Sequence, residues 1–313
     1  MRVDELYPTD RVILREVGLR DGLQLVKTFP DTDAKRDWIQ REHAAGVTHF
    51  EVGSFLPAKR FPQFADVAEL TAEVAGLPGA RCAALALNER GINDALAAGV
   101  DELVCVVSAT EEHSQANARR SQKEAVELVG RAAALAREGD KSPVVHVGLS
   151  MSFGCSIAGP VAPGDVVRLA EECLAAGADV VALADTVGFA GPRQVTGLCR
   201  ELRAAIGERP FAIHLHDTRG LGLSNASAAL DEGCRILDGA LGGLGGCPFA
   251  PGATGNIVFE DLVFLCETKG FATGIDIDQL IELRALLAQA MPDETLYGAV
   301  ARSGPPRNIP WAA

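Results

Sequence analysis

Residues 174–185 read LAAGADVVALAD: a small-residue helix end, one glycine, then an apolar run that closes on an aspartate. The same phrase recurs along the chain. Gly46 precedes VTHFEVGSF (47–55), Gly76 precedes RCAALAL (81–87), Gly99 precedes VDELVCVVSA (100–109) and Gly139 precedes VVHVGLSMSF (144–153). Gly207 precedes PFAIHLHD (210–217), Gly233 precedes CRILDGALGG (234–243), and Gly270 closes the last such helix. Glycine suits these points because the residue after a helix often turns left-handed, a conformation that any Cβ opposes. With VILREVG (12–18) ahead of the first helix, the count is eight strands alternating with eight helices. Nearly continuous apolar strands mark a parallel sheet covered by helices on its outer face. Eight βα units therefore predict an α/β chain folded as a closed (β/α)8 TIM barrel, in preference to an open doubly wound sheet.

Local signals place the helices. Ser121 with Glu124 three residues on forms a capping box, and Pro192 after Gly191 sits at a first turn. An amphipathic segment at 276–290 adds a C-terminal helix, and a proline-rich tail follows at 304–313. No linker interrupts the pattern, so the expectation is one domain over residues 1–313, with the barrel at about 10–272 and the added helix and tail at 273–313.

Composition narrows the function. Hydrophobic residues make up 48% and charged residues 23% of the 313, which excludes disorder and coiled coil. The formal charge of −13 argues against nucleic acid and anionic membranes as partners, because both need a basic face. No apolar run reaches the roughly 18 residues of a membrane span, and MRVDELYPTD has no secretory or transit pattern, so a cytoplasmic chain is expected. The eight cysteines form no CxxC pair, which points to reduced, buried thiols rather than a disulfide or zinc framework.

In such a barrel the chemistry collects at the C-terminal ends of the strands. Arg20 and Asp21 follow the first strand, Glu51 lies in the second, and Asp185 ends the sixth. His214, His216 and Asp217 end the seventh, and Cys247 and Asn256 lie in the long loop after the eighth. His214 and His216 are the sharpest pair, since residues i and i+2 of a strand share a face. With Asp21 they suit a divalent cation, Mg²⁺ or Mn²⁺ ahead of Zn²⁺ or Co²⁺, although two hydrogen-bonded core histidines would read the same way. Asn256 equally suits the N-cap of the following helix. The loop GGLGGCPFAPGATGN (242–256) is too long and too rich in glycine and proline for a simple turn, and it suits a lid that carries Cys247. Arg20 is either an ordinary ion pair with Asp21 or, beside a cation, an oxyanion stabiliser held by Glu51 or Glu16. The basic residues Lys27, Lys59, Arg60, Arg119 and Arg120 could meet substrate phosphates but read equally as solvated surface charges.

Four segments in order, REVGLRDGLQ (15–24), FEVGSF (50–55), HLHDTRG (214–220) and GLGGCPFAPGATGN (243–256), resemble the 3-hydroxy-3-methylglutaryl-CoA lyase family of metal-dependent lyase and condensing-enzyme barrels. The resemblance implies metal ligands at Asp21, His214, His216 and Asn256. It implies catalytic roles for Arg20, Glu51, Asp185, His214 and Cys247. Gln24 and Lys27 become candidate contacts to coenzyme A, an acyl-CoA becomes the expected substrate, and a homodimer is suggested. The implied reaction is retro-Claisen cleavage of a 3-hydroxy-3-methylglutaryl-CoA-like thioester to acetyl-CoA and acetoacetate, with Cys247 protonating the enolate carbon. A lyase for another 3-hydroxyacyl-CoA such as citramalyl-CoA, or a condensing acyltransferase, are the alternatives. The chain departs from the family where VGPRDGLQNE becomes VGLRDGLQLV, placing Leu19 and Leu25, and where GCPYEG or GCPFEG becomes GCSIAG (154–159).

Overall fold

The computed structural model describes residues 3–139, 141–245 and 255–311. Its strands are β1 (Ile13–Glu16), β2 (His49–Ser54), β3 (Arg81–Leu85), β4 (Glu102–Ser108), β5 (Val144–Ser150), β6 (Val180–Asp185), β7 (Phe211–Leu215) and β8 (Ile236–Gly239). They close in sequence order, every pair parallel, with β8 returning to β1 through Leu14 opposite Leu237. A helix crosses back after each strand, and β4 is followed by an extra short one, Glu111–Ala118, before Gln122–Glu138.

The local signals act as expected, with two exceptions among the glycines. Ser121 and Glu124 complete their capping box, Gly191 and Pro192 open Pro192–Ile206, and the C-terminal helix runs Ile277–Ala290 from an Asp276 N-cap. Six of the eight helix-ending glycines have positive φ. Gly76 and Gly139 do not; the left-handed step falls downstream, on Gly79 (φ 75°) and Ser142 (φ 41°). At those two points the chain needs a few more residues of turn before it can enter the next strand.

The two-residue repeat of a strand organises the barrel interior. Ile13, Val144, Val180, Ala212 and Ile236 form the lowest inward layer, and Leu6 and Tyr7 of the N-terminal segment pack against it. Two residues further along the same strands come Arg15, His146, Ala182, His214 and Asp238, all of which line a cavity. The barrel is thus apolar at the bottom and charged above. Arg15 is 2% exposed, and a buried guanidinium is tolerable only when paired. Its Nη1 donates to Glu102 Oε2 at 3.0 Å, and its Nε lies 2.9 Å from Asp238 Oδ1. Tyr7 Oη donates to the other oxygen of Glu102 at 2.6 Å, which ties the basal plug to this charged layer.

The seven described cysteines are free and buried. Burial pushes thiols such as Cys82 and Cys105 up to about 12, so they are inert, as small hydrophobes should be. Cys247 and its expected lid lie outside the described residues. Among the described residues no helix is long and apolar enough to cross a membrane.

Candidate active site

After β1 the chain makes a wide π-type turn, Gly18–Gly22, that puts Arg20 and Asp21 at the mouth of the barrel. Arg20 Nε donates to Glu51 Oε1 at 2.9 Å, and Nη1 donates to Asp21 Oδ1 at 2.5 Å and to Gln24 Oε1 at 3.3 Å. The guanidinium is therefore clamped from β2 and from its own turn. Burial alone would push the Asp21 carboxyl up, but Arg20 and the two histidines outweigh it and hold the group well below the usual carboxylate range.

β7 delivers the histidines. His214 Nδ1 donates to Asp238 Oδ2 at 3.0 Å, which fixes the tautomer and leaves Nε2 facing His216 Nε2 at 3.1 Å. His216 Nε2 in turn lies 3.3 Å from Asp21 Oδ2. Asn256 is drawn into the same group. Its Nδ2 donates to Asp21 Oδ2 at 2.8 Å and to Leu244 O at 2.9 Å, while its buried Oδ1 has no hydrogen-bond partner among the described residues. The alternative reading of Asn256 as a helix N-cap is not met, because the following helix begins at Phe259 with Val258 in that position.

These donors fit a divalent cation. One ligand atom from each of Asp21, His214 and His216 lies within 4.8 Å of the others, and an unsatisfied amide oxygen stands beside them. Two imidazole nitrogens and a carboxylate with no thiolate make a mixed nitrogen and oxygen set. Because Asp238 occupies Nδ1, any proton His214 accepts must go to Nε2, so proton transfer and ligation compete for one atom.

The cavity above this site holds about 360 Å³. Arg20, Asp21, Gln24, His214 and His216 line one side of it, and Leu25 and Ile157 line it too, with roughly half of each side chain exposed. Other expectations are placed elsewhere. Lys27 is exposed and does not line the cavity. Both oxygens of Asp185 accept backbone N–H groups, from Phe189 at 2.8 Å and Ala190 at 3.0 Å, so the carboxylate pins the loop after β6. Asp217 accepts from Gly222 N at 2.6 Å and anchors the next helix in the same way. Glu51 does not line the cavity; it contacts two residues that do, Arg20 at 2.9 Å and Arg15 at 3.8 Å.

Sequence reasoning passed over Arg15, Glu102, His146 and Asp238. Each is a polar or charged residue at the inward phase of the two-residue repeat in a mostly apolar barrel, and that was the available signal.

Residues 11–287 match the HMGL-like family model. The chain belongs to the HMGL-like family. It is 37% identical over 311 residues to the (R)-citramalyl-CoA lyase of Chloroflexus aurantiacus, covering 95% of this chain and 96% of that protein. It is 33% identical to a hydroxymethylglutaryl-CoA lyase of Bacillus subtilis, covering 91% of this chain and 94% of that one. Among solved structures, an HMG-CoA lyase from Acinetobacter baumannii in complex with coenzyme A and 3-methylmalate superposes with a TM-score of 0.87 at 34% identity, over 96% of this chain and 98% of that one. As a member of this family, the chain is a carbon–carbon lyase of the acyl-CoA type.

Proposed function

We propose that this protein is a divalent-metal-dependent lyase that cleaves the C2–C3 bond of a 3-hydroxy-3-methylglutaryl-CoA-like thioester, releasing acetyl-CoA and a keto acid. The observation that carries this reading is the convergence of Asp21, His214, His216 and Asn256 beside a clamped arginine at one cavity mouth. A cation held by these four residues, Mg²⁺ or Mn²⁺ by the donor set, would polarise the 3-hydroxyl and a neighbouring carbonyl oxygen. Arg20 supplies fixed positive charge where oxygen charge develops, and Glu51 and Asp21 keep it oriented. The hydroxyl proton goes to His214 or a neighbouring carboxylate; because Asp238 occupies Nδ1, His214 can take it only with its Nε2 off the cation. Breaking C2–C3 then gives a ketone and the enolate of the acyl thioester, and the Cys247 thiol is the proposed acid that protonates the enolate carbon.

Citramalyl-CoA is the second reading, favoured by the 37% identity with the Chloroflexus enzyme and by the apolar Leu25 and Ile157 at the cavity. One experiment separates them: purified protein with Mn²⁺ or Mg²⁺ is offered 3-hydroxy-3-methylglutaryl-CoA and citramalyl-CoA, and acetyl-CoA, acetoacetate and pyruvate are measured with and without EDTA. The keto acid released identifies the substrate. Cleavage that persists in EDTA would refute the metal assignment, and condensation without cleavage would favour an acyltransferase. In Cys247→Ala, turnover should collapse while Mn²⁺ binding persists.

A further inference from the structure

The wall of the cavity opposite the metal ligands carries a polar group that the reaction above does not use. His113, on the helix Glu111–Ala118 after β4, is 8% exposed and lines the cavity together with Asn117 and Ser150. In a closed ring of eight strands, β4 stands across from β8, so this wall faces the side built by β7, β8 and β1. Between the two walls the lining combines Leu85, Val104, Ala182 and Ala184 with Arg15 and His146, both of which are engaged by Glu102.

A serine relay sets the histidine. Ser150 Oγ donates to Ser108 Oγ at 3.3 Å, and Ser108 Oγ lies 2.8 Å from His113 Nδ1. Ser108, accepting from Ser150, keeps its own proton available for Nδ1, and with that bond made the ring hydrogen is on Nε2. Nε2 has no partner among the described residues. Burial lowers the pKa of His113, which keeps the ring neutral and the N–H fixed. Asn117, one helical turn further on, adds an amide on the same face. The acid that begins this helix, Glu111, is turned away to Gln115 and to the Gln122 backbone N–H.

A donor fixed in a largely apolar cavity lacks a partner until a ligand brings an acceptor. Resting on the lyase reading, we propose that His113 is a specificity-determining residue that binds the carboxylate of the acyl chain through Nε2–H. The thioester and carbinol end then lies at Asp21, His214 and His216, and the acyl chain crosses the cavity to reach His113.

The test compares wild type, His113→Phe and His113→Gln, each loaded with Mn²⁺. The substrates are 3-hydroxy-3-methylglutaryl-CoA, citramalyl-CoA and the uncharged 3-hydroxy-3-methylbutanoyl-CoA. Selectivity for the carboxylate esters over the uncharged one should fall about 10- to 100-fold in His113→Phe, mainly through KM, and recover in part in His113→Gln. Mn²⁺ affinity, read by calorimetry, should be the same in all three proteins. Equal losses on charged and uncharged esters would show a packing role and overturn the proposal, as would an unchanged ratio. If wild type binds Mn²⁺ and cleaves none of the three esters, the lyase reading fails and this inference with it.

Discussion

Asp238 holds His214 and Arg15 at once: its Oδ2 accepts from His214 Nδ1 at 3.0 Å, and its Oδ1 lies 2.9 Å from Arg15 Nε. Arg15 also lies 3.8 Å from Glu51 Oε2, and Glu51 clamps Arg20. The histidine and the arginine of the site are therefore referenced to one buried cation below them. Burial works against an ionised Asp238, but Arg15 and His214 prevail and bring its pKa down to about 2. An Asp238→Asn variant keeps the shape but offers a donor as well as an acceptor to Nδ1. His214 can then take the tautomer that protonates Nε2, and Mn²⁺ affinity measured by calorimetry should fall about 10- to 100-fold.

Arg20 is oriented by three acceptors, Glu51, Asp21 and Gln24, so a lysine cannot replace its planar fork. Arg20→Lys should lower kcat by about 10²- to 10³-fold, as loss of an oxyanion donor does, while KM moves far less. Steady-state kinetics on the cleaved ester would check this. A change confined to KM would mean that Arg20 only binds substrate.

The barrel was legible because its signals are local: a glycine after each helix and an apolar strand after each glycine. Asp21, His214 and His216 could be read together because strand phase and barrel topology bring the ends of β1 and β7 to one mouth. Asp238 and Arg15 escaped that reading because their meaning lies in pairing where β8 closes on β1, 223 residues apart in sequence, which no local pattern encodes. Asp185 carries a contact of the same hidden kind: both oxygens of this strand-end carboxylate accept backbone N–H groups from the loop that follows.

Ile157 lies in the GCSIAG segment, and its side chain lines the cavity while the residue stays 51% exposed. Contact with the bound acyl-CoA in both ground and transition states would be uniform binding. Ile157→Ala should then raise KM about 5- to 20-fold with kcat nearly unchanged. A matching fall in kcat would instead place the residue in contact with the reacting atoms.

Glu42 is fully buried, and the Trp38 indole is the one neighbour that favours its charged form. Burial first, and then the neighbouring Glu260, push its pKa well above the ordinary value. A raised folded-state pKa contributes stability that is fully present below the unfolded value, near 4.5, and is lost as pH rises through the folded one. Asp238 and Glu102, both brought down to about 2, act in the opposite sense: their contribution is present above the unfolded carboxylate pKa and lost only as pH falls toward 2. Between pH 5 and 9, then, Glu42 should dominate the slope among these three. Glu42→Gln removes the titration while keeping the volume, so urea unfolding should show a smaller decline in stability from pH 5 to pH 9 than wild type. At pH 9 the variant should be the more stable protein. An unchanged slope would show that Glu42 is ionised in the fold.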